Sequence, residues 1–142
     1  MKTYRHLLAA AALVLFSGVA SAASIAIITS PDNKGIGISK EEISNVYLGN
    51  SRTYGSGVKA APVDQKSGSA IRKKFLKSVT GKSEQEFTRH WSTRRFSGKG
   101  KPPKQLSGDT AVKRWVSENP GAIGYINGKS MDKTVKLLLI IP

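Results

Sequence analysis

The segment 60–76 limits the possible folds most, because it joins a short apolar run to a helical pattern through a Ser-Gly-Ser turn. Ser67, Gly68 and Ser69 form that turn. Backbone N–H groups at the start of a helix lack intrahelical acceptors, and the helix dipole adds about half a positive charge there, so the turn can seat an oxyanion. The alternative is that Ser67 or Ser69 is only the N-cap of the helix. The apolar face of the helix would hold Ile71, Phe75, Leu76 and Val79.

The rest of the chain alternates between short apolar runs and helical patterns. The order is strand, helix, strand, three helices and two strands, which predicts an α/β domain with a largely parallel sheet covered by helices. Ligands of such sheets bind at the carboxyl ends of strands, where the turn 67–69 lies. The last strand is too apolar for a solvent-exposed edge, and segment 50–57 is typical of an exposed loop. The expected strands are 24–29, 58–63, 122–126 and 135–141.

Three helix starts can be recognised. Ser39 precedes Glu42 by three residues, and Ser83 precedes Glu86 in the same way, so each pair can form a capping box. A further helix is expected to begin at 107–109, where Ser-Gly-Asp precedes an apolar pattern. The buried faces of the last two helices would hold Phe87, Trp91, Val112, Trp115 and Val116.

Residues 1–22 have the pattern of a secretory signal peptide. A basic start and an unbroken apolar run at 7–16 precede the small residues of a cleavage site at 20–22. The apolar run is shorter than the roughly 20 residues of a membrane span. The chain has no cysteine for lipid attachment. The sequence therefore predicts a periplasmic protein, processed to a single domain at 23–142, that is neither a lipoprotein nor membrane-spanning.

The basic composition predicts an anionic partner. The formal net charge is +14, and because residues 1–22 hold two of the 23 lysines and arginines and none of the nine acidic residues, the processed chain keeps +12. Such a charge favours an inorganic oxyanion, a cell-envelope polyanion or an acidic protein. Export makes nucleic acid the least expected partner, and we expect none.

The composition gives little support to catalytic or metal chemistry. His90 is the only histidine after residue 22, and no cysteine is present, so no metal site is expected. Lys66 precedes Ser67, so the glycines of the G-x-S-x-G nucleophile pattern are absent. We therefore expect no enzymatic activity and no cofactor.

Three segments resemble the motifs of one family. Segment 38–49 is similar to the family's helix L-t-x-e-q-l-x-x-I-F-x-G, and 62–69 followed by Phe75 resembles its loop R-x-x-S-G-T…F. Segment 119–125 is similar to its strand entry x-P-G-A-I-G-Y. On these motifs, which occur in the family's order, the chain resembles the phosphate-type solute-binding proteins of ABC transporters, which have the periplasmic-binding fold.

The resemblance implies a function and a site. It implies that phosphate or a similar oxyanion is the ligand, and that Ser67, Gly68, Ser69 and Arg72 bind it. The resemblance covers nearly all of 23–142 but only about one lobe of a two-lobed family. A second lobe or another subunit would then complete the site.

Asp64 departs from the family pattern. It stands where the family has a phosphate-binding arginine, and Ala70 stands where another arginine is common. A carboxylate that faces phosphate is repulsive unless it accepts a proton from the ligand. The alternative is that Asp64 braces the loop away from the ligand. Arg72 can compensate for the missing arginine, or it can be a solvated surface charge.

Two functions of different classes follow. The first is an exported oxyanion-binding domain, with phosphate as the default ligand. The second is an interaction module that binds no ligand and docks in an envelope protein complex. Arg94, Arg95 and Phe96 are its expected partner-binding residues, because interfaces favour arginine and aromatic side chains. The alternative for Phe96 is that it folds back onto Trp91.

Overall fold

A computed structural model of the chain describes residues 23–34, 37–55 and 57–142. The predicted signal peptide, 1–22, lies outside the described residues. None of the helices in these ranges has the length and hydropathy that crossing a bilayer requires. The elements in chain order are β1 (Ile25–Thr29), α1 (Lys40–Tyr47), β2 (Thr53–Tyr54), β3 (Val58–Lys59), β4 (Ala61–Gln65), α2 (Ala70–Phe75), a π-helical turn (Leu76–Thr80), α3 (Glu84–Phe96), β5 (Lys104–Leu106), α4 (Asp109–Glu118), β6 (Ala122–Asn127), a 3-10 turn (Gly128–Ser130) and β7 (Lys136–Ile141).

The main sheet has five strands in the order β5-β4-β6-β1-β7. β4 pairs in parallel with β5 and β6, whereas β1 pairs antiparallel with β6 and β7. Four of the five strands therefore run in one direction, and β1 runs against them. The predicted α/β architecture, a mostly parallel sheet covered by helices, is confirmed.

β1 separates two hydrophobic cores. All five of its residues are buried, and successive side chains of a strand point to opposite faces of the sheet. Ile25 and Ile27 accordingly pack on one face, and Ala26 and Ile28 pack on the other. The first core also takes Ile43, Val46, Phe75, Phe87 and Trp91 from α1, α2 and α3, and the second takes Val112 and Val116 from α4.

Both predicted capping boxes form. Ser39 Oγ accepts from the Glu42 N–H at 3.1 Å, and Glu42 Oε2 accepts from the Ser39 N–H at 2.8 Å. Ser83 and Glu86 make the same two bonds at 3.1 and 2.9 Å. These bonds satisfy N–H groups that the first turn of a helix leaves without acceptors, so the local sequence alone fixes where α1 and α3 begin.

The segment 50–57, which we expected to be an exposed loop, contributes to a small hairpin. β2 pairs antiparallel with β3, so the strand expected at 58–63 is divided between β3 and β4. Tyr54 is buried, and its hydroxyl lies 3.1 Å from Thr29 Oγ1 at the end of β1. Strands of two residues leave no periodic pattern in the sequence, which is why the hairpin was not expected.

The last strand was expected away from a solvent-exposed edge, and that expectation is wrong. Among the strands of the described ranges, β7 pairs only with β1 and forms one edge of the sheet. A register shift between Ile27 and Ile28 leaves Leu137 opposite Ile28 and Ile140 opposite Ala26, on the face that carries α4. Leu137 and Ile140 are 43% and 44% exposed there.

Candidate functional site

The turn 67–69 lies at the carboxyl end of β4, as expected. Gly68 has a φ of +86°, a left-handed conformation that favours glycine. Ser67 Oγ accepts a hydrogen bond of 3.2 Å from Gln105 Nε2 of β5. Ser69 stands at the N-cap position of α2, but its side chain makes no capping bond, and its buried Oγ has no hydrogen-bond partner among the described residues. Neither serine therefore acts as a side-chain N-cap.

Asp64 turns into the protein. Its side chain is 1% exposed, and Arg72, which is 3% exposed, donates to Asp64 Oδ2 from Nε at 2.9 Å. Asp64 Oδ1 accepts from the Gln65 N–H at 2.8 Å and from the Tyr125 hydroxyl. Of the two alternatives for Asp64, the structure has the one in which it braces the loop. Arg72 is likewise a buried partner of a carboxylate and not a solvated surface charge.

The side-chain carboxylate of Glu84, the first residue of α3, contacts the turn 67–69. Its Oε1 accepts a hydrogen bond of 2.8 Å from the Gly68 N–H and another of 2.8 Å from Arg72 Nη1. Burial alone would raise the pKa of Glu84, but the bonds from Gly68 and Arg72 outweigh it and hold that pKa below its usual value. Burial would lower the pKa of Arg72, and its bonds to Glu84 and Asp64 raise it instead. Both groups are therefore charged.

Aromatic rings support this cluster from the core. Phe75 stacks on Tyr125 with centroids 3.8 Å apart and planes 7° apart. The Tyr47 hydroxyl donates to the Val63 carbonyl of β4 at 2.7 Å. Burial and the charge of Asp64 raise the pKa of Tyr125 far above its usual value, so its hydroxyl keeps its proton and donates to Asp64.

A second carboxylate lies at the carboxyl ends of β4 and β6, close to the turn 67–69. Asp109, the first residue of α4, accepts from Gln65 Nε2 at 2.8 Å and from Ser130 Oγ at 2.6 Å. It also accepts two bonds of 3.1 Å from the backbone N–H and the Nδ2 of Asn127, the last residue of β6. Burial would raise the pKa of Asp109, but these bonds lower it. The N-cap of α4 is Gly108, without a side-chain capping bond, so the expected cap at 107–109 is replaced by these contacts.

Sequence reasoning did not find Glu84 or Asp109 as parts of the site. Glu84 was visible only as an acidic residue in the first turn of a helix, a common position that favours the helix dipole. Asp109 was visible as part of a capping segment. Their partners lie 12 residues or more away along the chain, so no local pattern connects them.

A cavity of about 320 Å³ lies beside the turn. It is bordered by the turn, α3, β5 and the segment before β5. Arg72 forms part of its lining, and the Arg72 Cζ lies 5.5 Å from the centroid of the Phe87 ring. The lining combines polar Asp64, Ser67 and Arg72 with apolar Phe87, Trp91 and Pro103.

The expected partner-binding residues point in different directions. Arg94 turns inward: its Nη2 donates to the Gly49 carbonyl at 2.7 Å, and its Cζ lies 5.7 Å from the centroid of the Trp91 ring. Arg95 is exposed, and Phe96 is 97% exposed. Phe96 therefore does not fold back onto Trp91, and the end of α3 presents Arg95 and Phe96 to solvent.

The comparisons with known proteins identify the fold. No protein-family model matches the chain, and no curated protein does. A protein described as a phosphate ABC transporter substrate-binding protein, from Clostridium perfringens and with bound phosphate, has a TM-score of 0.64 and 23% identity over 82% of this chain. An ABC-type phosphate transport receptor from Vibrio cholerae gives 0.64 and 21%, and PstS from Borrelia burgdorferi gives 0.61 and 18%, over the same share.

The chain spans less than half of these proteins, namely 44%, 45% and 46% of their lengths. Within that part it has the fold of phosphate ABC transporter substrate-binding proteins, as the sequence motifs predicted. At these sequence identities the similarity shows a shared fold and does not identify a ligand.

Proposed function

We propose that the domain binds a small oxyanion, with phosphate as the default ligand, at the turn 67–69. The observation that carries the proposal is the position of Glu84, whose Oε1 accepts 2.8 Å hydrogen bonds from both the Gly68 N–H and Arg72 Nη1. These donors already hold an oxyanion of the protein itself. A phosphate oxygen needs the same kind of donors, a backbone N–H at a helix start and a guanidinium. The fold shared with phosphate-binding proteins supports phosphate as the default.

A ligand at this turn has to displace Glu84. The Glu84 side chain is 21% exposed, and rotation about its side-chain bonds carries the carboxylate into solvent without a change in the backbone. An internal competitor lowers the apparent affinity by the fraction of molecules in which the turn is free. We therefore expect weak binding by the lobe alone, and tighter binding if a second lobe or subunit adds donors.

Calorimetric titration with phosphate and with sulfate tests the proposal. Glu84→Gln removes the charge of the competitor and its repulsion of the ligand, so phosphate affinity should rise by about tenfold, or about 1.4 kcal/mol. Glu41→Gln is the matched control, because Glu41 is an exposed glutamate in the first turn of α1 and its loss changes the net charge equally. Equal gains in both variants, or no binding by wild type and Glu84→Gln, would refute the proposal.

A second candidate function is favoured by Phe96. An aromatic side chain that is 97% exposed next to an exposed arginine is typical of a protein-binding surface. The domain would then serve as an interaction module in an envelope complex, with Arg95 and Phe96 as anchors. Arg94 would support this surface from within through its contacts with Gly49 and Trp91.

Cross-linking in the native envelope tests this second function. A partner captured by wild type should be lost with Arg95→Glu and with Phe96→Ser and kept with Arg89→Glu, which makes the same charge change at an exposed position of α3. Recovery of the partner by all variants would exclude this surface. The absence of a phosphate response together with loss of the partner in Arg95→Glu would favour the interaction module over oxyanion binding.

We further propose that the domain acts in the periplasm after removal of residues 1–22. The signal-peptide pattern of the sequence supports this localisation. The intact mass of the protein from the envelope fraction should correspond to a chain that begins at Ala23. A mass that includes residues 1–22 in a membrane fraction would contradict the proposal.

A further inference from the structure

The 320 Å³ cavity beside the turn is larger than a phosphate ion requires. Its volume reaches the lower end of the range of pockets that bind small organic molecules, about 300–1,000 Å³. It opens next to the Glu84 contacts but is bounded mainly by α3 and the segment before β5. The cavity therefore adjoins the proposed oxyanion site, with which it shares Ser67 and Arg72, and extends beyond it along α3.

The lining of the cavity combines a cation with apolar groups. Arg72 is buried and uses Nε for Asp64 and Nη1 for Glu84, which leaves Nη2 without a hydrogen bond to any described residue. Phe87, Trp91 and Pro103 also line the cavity and are buried, and the Phe87 ring lies next to the Arg72 guanidinium. Aromatic rings and prolines favour an apolar or planar group, and the negative face of an aromatic ring gives an anion no favourable partner.

The rim carries a further positive charge. Thr88, Ser92 and Arg95 are exposed residues of α3 that border the cavity, and their spacing of four and three residues puts them on one face of the helix. Arg95 makes no ion pair with a described residue. A ligand that enters along this face meets the cation at the rim before it reaches Arg72, and the basic domain as a whole attracts anions.

We propose that this cavity binds the apolar part of a small organic oxyanion, a ligand in which an aromatic or aliphatic group is joined to a phosphate or carboxylate. The inference rests on the proposed oxyanion binding at the turn, because the anionic group of the ligand lies between the turn, Arg72 and Arg95. The apolar group packs against Phe87, Trp91 and Pro103. The ligand class of the domain is then an organic phosphate or carboxylate in preference to free phosphate.

Calorimetric titration with phenyl phosphate, methyl phosphate and inorganic phosphate tests the inference with the purified protein. Phenyl phosphate should bind at least tenfold more tightly than the other two. Ser92→Phe places a ring at the mouth of the cavity and should abolish that difference, whereas Thr93→Phe, an exposed neighbour that does not line this cavity, should preserve it. Arg95→Glu should weaken phenyl phosphate by about tenfold more than Arg89→Glu does.

The outcomes separate the inference from the proposed function. If inorganic phosphate binds and responds to Glu84→Gln while phenyl phosphate binds no more tightly, the inference is refuted and the oxyanion function stands. If phenyl phosphate binds and Ser92→Phe abolishes it while inorganic phosphate does not bind, the cavity is the ligand site and the turn alone is not. Equal loss in Ser92→Phe and Thr93→Phe would also refute the inference, and the circular dichroism of both variants shows whether they are folded.

Discussion

The N-termini of α2 and α4 both lie at the carboxyl ends of the parallel strands, and each contacts a carboxylate of the protein. At α4 the carboxylate belongs to the helix itself, because Asp109 is its first residue and accepts four hydrogen bonds from neutral groups. At α2 the carboxylate comes from another helix, and within the described part of the chain the Glu84 side chain accepts only two bonds, one of them from a buried arginine.

The difference indicates which helix start can exchange its anion. Removing Asp109 from its four donors would leave polar groups of Gln65, Asn127 and Ser130 without this acceptor, which is costly. Removing Glu84 frees one backbone N–H and one arginine nitrogen, both of which a ligand oxyanion satisfies equally well. We therefore expect the N-terminus of α4 to keep its carboxylate and the N-terminus of α2 to exchange Glu84 for a ligand, and the following predictions test that distinction.

The largest effect is expected when the buried ion pair between Arg72 and Asp64, next to the N-terminus of α2, is broken. Arg72→Met leaves Asp64 buried and unpaired, and removing one partner of a buried ion pair costs about 3–5 kcal/mol of unfolding free energy. Chemical denaturation measures the loss. The double variant Asp64→Asn, Arg72→Met should recover a large part of it, and a single variant that loses less than about 1 kcal/mol would show that the pair contributes little. For the same reason Asp64→Arg should destabilise the fold.

The two carboxylates should differ in their contribution to stability. Asp109→Asn leaves one oxygen for four donors and should cost about 1–3 kcal/mol, because buried donors lose their acceptor. Glu84→Gln keeps an acceptor near the Gly68 N–H and should cost about 1 kcal/mol or less. Denaturation of both variants under one condition checks the order. A larger loss for Glu84→Gln would contradict the proposal that a ligand can displace Glu84 from the turn.

Acid should weaken the stabilising contacts of Glu84 and Asp109 at the N-termini of α2 and α4. The pKa values of Glu84 and Asp109 are lowered in the folded protein, so their stabilising contribution is complete above the unfolded values, about 4.3 and 3.9, and is lost as pH falls through the lower folded values. The unfolding free energy of wild type should decrease as pH falls below about 4. Each of the variants Glu84→Gln and Asp109→Asn should flatten that decrease, and an unchanged slope in both would contradict the assignment.

The smallest effect is expected at Ser69. A side-chain N-cap contributes about 1 kcal/mol, but Ser69 makes no capping bond and its Oγ has no partner among the described residues. Ser69→Ala should therefore leave the unfolding free energy unchanged or slightly higher. The control is Ser39→Ala, which removes a capping bond that does form and should cost about 1 kcal/mol. Equal losses would mean that Ser69 caps α2 in solution.

Local signals were sufficient for much of the fold. The capping boxes of Ser39 and Ser83 and the turn at 67–69 each depend on residues that are close in the chain, and the structure contains all three. The short hairpin and β5 were not expected, because strands of two and three residues give no periodic pattern. The position of β7 at the edge depends on its pairing with β1, and hydrophobicity alone did not indicate it.

The sequence by itself determined the class of the domain and the place of its turn, because strand and helix periodicity, caps and turn residues depend on neighbours in the chain. The tertiary structure decided what the turn contacts. Glu84 of α3 reaches Gly68 across 16 residues, and Arg72 of α2 pairs with the buried Asp64 of β4, so both contacts depend on how separate elements come together in the fold. Arg94 and Phe96 show the same limit, because they are two residues apart in one helix. Only the contact of α3 with Gly49 decides that Arg94 turns inward, whereas Phe96 faces solvent.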